Sequence, residues 1–200
     1  MHKIAAFIEF DKKIEDKILF QKKIIKKKYG KQIYLNHPVH LTLFTLNIKK
    51  ISELKKVYVN KDYRQRKPIL IRVTKGDVFF NDPITNGHTI FYHIQKNDKL
   101  NKIQIKHLRK INNKIEISKK ENYFKIPILN SNYEKFGFPF WGKIWIPHVT
   151  IASIRGVKKN DNYIKKFKLS KVNLECQINK IKFYKIKNDK HQFLFSVKNF

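Results

Sequence analysis

Two stretches, NHPVHLTLFTL at 36–46 and WIPHVTIASI at 145–154, constrain this chain more than anything else in it. Each is a strand-like apolar run interrupted by a histidine and, two positions later, a threonine. Side chains of a strand alternate between faces, so His40 and Thr42 point one way while Val39, Leu41 and Leu43 point the other. The same holds for His148 and Thr150 against Val149 and Ile151. A fold that buries the apolar side of both runs must therefore present two imidazole and hydroxyl pairs on faces that are not core. One such triplet is weak evidence, because a lone histidine among apolar residues is more often a hydrogen-bonded structural group. Two copies, each with apolar residues at the middle and following positions, are hard to obtain by accident.

The remainder alternates strand and helix patterns. KIAAFIEF reads as a first strand, and DKKIEDKILFQKKIIKKKYG as a helix with Ile14, Ile18 and Ile25 on one face. Its basic last turn suits a helix C-terminus, and Gly30 is placed to end it. After the first motif strand come a short helix near ISELKKVY, a hairpin expected to turn near Lys75 and Gly76, and a strand at GHTIFYHIQ. DKLNKIQIKHLRKINN sets Leu100, Ile103, His107 and Ile111 at helical spacing, with His107 along the edge of the packed face. A long irregular segment precedes the second motif strand, and KVNLECQINKIKFYKIK and HQFLFSVKNF read as closing strands. No Pro, Gly or Ser-rich linker divides the chain. The expectation is one α+β domain over 1–200 with an internal duplication, each half carrying one His-x-Thr strand, and an aromatic-rich insertion at about 122–146.

Composition adds a direction. Lys and Arg number 45 against 15 Asp and Glu, a formal net charge of +30. AT-rich coding would explain abundant Lys, Ile and Asn and few arginines, but not the shortage of acidic residues. Part of the positive field is therefore read as suited to a polyanion such as RNA. A membrane surface fits less well, since no long amphipathic helix with a Trp-bearing apolar face appears. Cys176 stands alone, so no intramolecular disulfide can form and a reducing compartment is expected. The N-terminal apolar run is too short for a signal peptide, and no segment approaches the ~18 apolar residues of a membrane span. A monomeric cytoplasmic protein is the expectation.

The paired motifs, HLTL at 40–43 and HVTI at 148–151, resemble those of the two-histidine phosphoesterases, the family of RNA 2′,3′-cyclic phosphodiesterases and 2′-5′ RNA ligases. The element order is similar over nearly the whole chain. The resemblance implies a bilobal α+β fold in which two lobes of antiparallel sheet, related by a pseudo-twofold axis, carry helices outside and form a central cleft with one motif on each wall. It implies His40 and His148 as the catalytic acid and base, Thr42 and Thr150 as phosphate donors, no cofactor and no metal. Many ligase-like relatives carry an arginine five positions after the second histidine, where this chain has Ser153, with Arg155 two further on.

Physical chemistry supports the same residues. Opening a cyclic phosphodiester requires a base to take a proton from water and an acid to protonate the leaving ribose oxygen. Histidine can be neutral in one place and protonated in another near neutral pH. Hydroxyls beside the rings can donate to the non-bridging oxygens as charge builds there, and a β-branched threonine holds its hydroxyl with restricted torsions. Which histidine is acid and which base stays open, and the roles swap with reaction direction.

Other residues are weaker candidates. The segment 122–147 holds Tyr123, Phe124, Tyr133, Phe136, Phe138, Phe140, Trp141 and Trp145. Most of these are expected to pack a satellite core, with one of Tyr133, Phe138 or Trp141 facing a nucleobase. Basic residues near the motifs are candidates to hold flanking phosphates of a substrate: Arg155 continues the second motif strand, on the face opposite His148 by alternation unless the strand has ended. Arg64, Arg66 and Lys67 form a basic loop cluster, while KKIIKKK is a solvated helix face. His37, close to the first motif, could line the cleft but reads better as a solvent-facing turn residue, His88 and His93 fall on opposite faces of one strand so that at most one points to a given site, and His2 and His191 give no pattern. Neither a His-Glu-x-x-His run nor paired cysteines point to a metal, and no glycine-rich phosphate loop points to a triphosphatase or kinase.

The expected activity is metal-independent phosphodiester hydrolysis at RNA ends or in small oligonucleotides, at 2′,3′-cyclic phosphates or 2′-5′ linkages, including the degradation of cyclic or 2′-5′ oligonucleotide immune signals. The competing expectation is an RNA-binding protein on the same fold without turnover.

Overall fold

The computed structural model describes residues 1–59, 67–118, 126–188 and 190–198. The elements run β1 (His2–Ile8), α1 (Lys12–Tyr29), β2 (Leu41–Ile48), α2 (Ile51–Val59), β3 (Ile69–Asp82), β4 (Gly87–Ile94) and α3 (Asp98–Asn112). They continue with α4 (Pro127–Phe136), β5 (His148–Ile154), α5 (Asn162–Lys168), β6 (Lys171–Ile178), β7 (Lys180–Lys187) and β8 (Lys190–Lys198). The expected α+β class and two-lobed antiparallel sheet are present.

All eight strands form one antiparallel sheet in the order β6-β3-β4-β5-β2-β1-β7-β8. The order is symmetric about the β5/β2 seam: β5 corresponds to β2, β4 to β1, β3 to β7 and β6 to β8. Each lobe is four strands, and the seam itself is a single ladder pair, Leu41 with Val149. One pair is a thin junction, and the helices reinforce it. The helix of each lobe lies over the other lobe's motif strand, α1 against β5 and α3 against β2.

α1 forms for the reasons its sequence supplies. Asp11 accepts from the Ile14 N–H at 3.1 Å, and Gly30, at φ 70°, donates its N–H to the Lys26 carbonyl at 3.0 Å. Ile14, Ile18 and Ile25 are buried as their spacing requires. α3 is capped likewise by Asn97, whose side chain accepts from the Leu100 N–H at 2.7 Å. His107 is fully buried rather than at an edge, in a hydrogen bond with the Tyr58 hydroxyl at 2.9 Å.

Three sequence expectations change. The chain does not turn at Lys75 and Gly76, because β3 runs straight through them with only a register shift. Gly76 is there for close approach: a Cβ would stand 2.2 Å from the Phe167 carbonyl oxygen. The turn comes instead at 83–86. The segment before the second motif is not irregular throughout, since Pro127 opens α4 and Gly137, left-handed at φ 67°, closes it. Finally, KVNLECQINKIKFYKIK is two strands, divided at Asn179, that lie in opposite lobes.

Candidate active site

The two motifs stand side by side on the central strands. The Leu41 and Val149 pair sends both middle residues into the core, at 1% and 0% exposure, so His40, Thr42, His148 and Thr150 all lie half-buried on the opposite face of the sheet. Sequence reasoning placed each pair correctly, and the seam brings the two together.

A bulge follows each threonine. On β2 the partner of Phe7 is Thr42 and that of Ala6 is Phe44, so Leu43 is unpaired. On β5 the partner of Phe91 is Thr150 and that of Ile90 is Ala152, so Ile151 is unpaired. Bulges of this kind change which residues share a face. Here the parity flips, and Thr45 and Ser153 join the motif face in HLTLFT and HVTIAS. The Leu43 carbonyl at the first bulge accepts from the buried Gln104 side chain at 2.9 Å, which also donates to the Phe140 carbonyl at 3.0 Å. α3 thus holds the bulge in place.

The two rings are set alike. His40 Nδ1 donates to the Pro38 carbonyl at 2.7 Å, and His148 Nδ1 donates to the Ile146 carbonyl at 2.7 Å. A carbonyl only accepts, so Nδ1 carries the proton in each neutral ring and Nε2 is left as the acceptor. Among the described residues neither Nε2, and neither threonine hydroxyl, has a protein partner. Each ring is backed by the phenylalanine opposite its threonine. Phe7 stacks on His40 with centroids 3.7 Å apart, and Phe91 lies 4.9 Å from His148, with Phe79 edge-on at 5.3 Å.

The walls differ in what surrounds the rings. Burial, then the electrostatic effect of His191, His37 and Lys22, pushes His40 down to about 3, against the opposing effect of its Pro38 bond. Burial also lowers His148, with His93 adding to it and the Ile146 bond and Asp82 opposing. His93 pairs directly with His148 across β4 and β5 and bonds Asp77 through Nε2 at 2.9 Å. His191, from β8, has its ring 6.0 Å from His40 and 4.8 Å from His37. His37 is therefore a half-buried neighbour of the site and not a solvent-facing turn. Lys22 fastens the loop that leads into the first motif, donating to the Tyr34 carbonyl at 2.9 Å and the His37 carbonyl at 2.6 Å.

The remaining expected residues lie elsewhere. Tyr133 and Phe138 are buried, at 9% and 6% exposure, and offer no open ring face. Trp141 is half-buried and stacked on Phe136 at 4.2 Å. Arg155 stands exposed just beyond β5, its Nε donating to the Thr85 carbonyl at 2.7 Å, and Ser153 is sealed beneath in a 2.7 Å bond with Thr85. Because of the bulge, the parity that put Arg155 on the far face does not hold. Arg64, Arg66, Tyr123 and Phe124 lie outside the described residues. Sequence reasoning missed His93, Asp77 and His191, and of these only His93 left a trace, as a histidine in an apolar strand.

Acid should loosen this fold. His107, His40 and His148 all have folded-state pKa values below 6.5, so the unfolded chain takes up their protons first as pH falls. Their stabilising contribution is complete above about pH 6.5 and is lost progressively as pH falls, towards about pH 3 for His107 and His40. Urea unfolding at pH 7.5 and pH 5 measures it. An unchanged midpoint would mean that the three rings are not desolvated.

The comparisons with known proteins follow the same lines. The crystal structure of TT0787 of Thermus thermophilus superposes with a TM-score of 0.63 at 14% identity, over 98% of this chain and 97% of that one. A structure titled as a phosphoesterase gives 0.63 at 9% identity, over 98% and 97%. E. coli LigT complexed with NADP+ gives 0.59 at 10% identity, again over 98% and 97%. At such identities these likenesses establish the fold. No curated protein matches the sequence. The model of the AKAP7 2′5′ RNA ligase-like domain matches residues 2–198, and with it the chain belongs to that family of two-histidine phosphoesterases.

Proposed function

We propose that the protein is a phosphodiesterase that cleaves RNA ends or small oligonucleotides, at a 2′,3′-cyclic phosphate or a 2′-5′ linkage, with His40 and His148 as the acid and base. The observation that carries this reading is the matched orientation of the two rings, each with Nδ1 bound to the carbonyl two residues before it and Nε2 left open on one face of the sheet.

In the free protein both rings favour the neutral form. An entering phosphodiester brings a negative charge beside them, which favours protonation of one ring and leaves the other as base. The neutral Nε2 takes a proton from water as its oxygen attacks phosphorus. The protonated Nε2 delivers its proton to the departing ribose oxygen. Thr42 and Thr150 donate to the non-bridging oxygens, where the transition state gathers charge. The acid, the base and the hydroxyl donors of this cycle all belong to the chain itself, and its steps call for no metal. The +30 charge raises the local concentration of any oligonucleotide.

The test is incubation with a chelator and a panel of 2′,3′-cyclic nucleotides, 2′-5′ oligoadenylates and cyclic dinucleotides. Cleavage of at least one class is expected. RNA binding without any cleavage would favour a binding protein on the same fold.

A further inference from the structure

A recess of about 360 Å³ lies where β4 begins and β5 ends, roughly 20 Å along the strands from His148. One side is the β3–β4 turn with Asn81, Gly87 and His88, and the other is the chain after β5 with Arg155, Lys158 and Lys159. No carboxylate lines it. The nearest acidic groups are used elsewhere. Asp82 accepts from the Thr89 hydroxyl at 2.6 Å and the Ile84 N–H at 2.9 Å, and Asp161 caps α5 and accepts from the Tyr29 hydroxyl at 2.5 Å.

The donors are held in place. His88 is 6% exposed, and its Nδ1 accepts from the Asn81 N–H at 3.1 Å. The proton of the neutral ring is therefore on Nε2, which has no partner among the described residues. The ring is buried but lines the recess, so this donor can serve an acceptor that enters from outside the chain. Arg155 is fixed through Nε to the Thr85 carbonyl, and its backbone N–H donates to Gln32 Oε1 at 2.9 Å. Its two terminal nitrogens are left without a protein partner among the described residues, in the fork geometry that suits oxyanions. Phe80 packs edge-on to His88 at 5.3 Å, with Lys159 and Lys168 over its ring at 6.0 and 5.6 Å. Gly87 lets the turn press onto β5, since a Cβ there would stand 2.6 Å from Ser153 Oγ.

We propose that this recess is a second phosphate-binding site, separate from the histidine pair, in which Arg155, His88 Nε2–H, Lys158 and Lys159 hold a phosphate group. Several donors with three cations fit a tetrahedral phosphate better than a planar, singly charged carboxylate. The group is either free phosphate or the terminal phosphate of an oligonucleotide, and the two are separable by experiment.

Titration of the isotopically labelled full chain with inorganic phosphate, ionic strength held constant with chloride, reads the site through the backbone amides of Gly87, Arg155 and Gly156. Saturable shifts at these three are expected in the native chain and equally in a His40→Ala, His148→Ala double variant, so the result is independent of the proposed activity. Arg155→Gln should weaken binding about tenfold, and Arg155→Lys, which keeps the charge but not the fork, should recover only part of it. In the double variant, a tetraribonucleotide with a 5′-phosphate should shift the same amides if the source is an oligonucleotide end. If inorganic phosphate alone does so, the site takes the free anion. Shifts that do not saturate, that persist unchanged in Arg155→Gln, or that appear only at 40–42 and 148–150 would overturn the proposal.

Discussion

His40→Ala and His148→Ala should each lower kcat on the cleaved substrate by about 10²- to 10⁴-fold, the range lost with a positioned acid or base. The loss of stability should be modest, because both rings are half-buried on the motif face and their departure uncovers the Pro38 or Ile146 carbonyl and one face of Phe7 or Phe91. The double variant should be scarcely worse than either single one, since proton removal and proton delivery belong to one displacement and either loss stalls it. Initial rates under saturating substrate, with unfolding curves alongside, measure this. Cleavage that survives the loss of either histidine would show that the chemistry lies elsewhere.

Thr42→Val and Thr150→Val should each cost about 10²- to 10³-fold in kcat, as loss of one preorganised donor to a developing oxyanion does. Valine keeps the branched shape, so strand packing against Phe7 or Phe91 is preserved and only the hydroxyl is removed. The loss should fall on kcat more than on KM, because the non-bridging oxygens gain charge in the transition state. Serine at either position should restore most of the rate. If both valine variants cleave at the native rate, the hydroxyls are bystanders and the phosphate is held by other groups on the face.

Much of this site could be read in the chain because strand alternation is a local rule. HLT and HVT each fix a histidine and a threonine on one face whatever the rest of the molecule does. The end of α1 was legible for a similar reason, since Gly30 acts on a backbone group a few residues away, and the caps at Asp11 and Asn97 are equally local. The same signals stand at α4, with Pro127 at its start and Gly137 at its end, although its sequence lacks the clear apolar period that marks α1 and α3. Gly76 misled in another way. Turn and close approach both call for a residue without a side chain, and only the position of Phe167 distinguishes them.

By itself, then, the sequence determined that a histidine and a threonine share one face of each motif strand, the burial of Leu41 and Val149, and the family pattern that joins them. What it could not contain was anything set by partners distant along the chain. The bulges at Leu43 and Ile151 exist because β1 and β4 pair there, and they moved Thr45 and Ser153 onto the motif face. His191 reaches His40 only because β7 and β8 return to the far lobe after β6 has closed the near one. Two histidines on separate strands become a candidate acid–base pair only when the seam at Leu41 and Val149 forms, and that single pair is a product of long-range packing by α1 and α3.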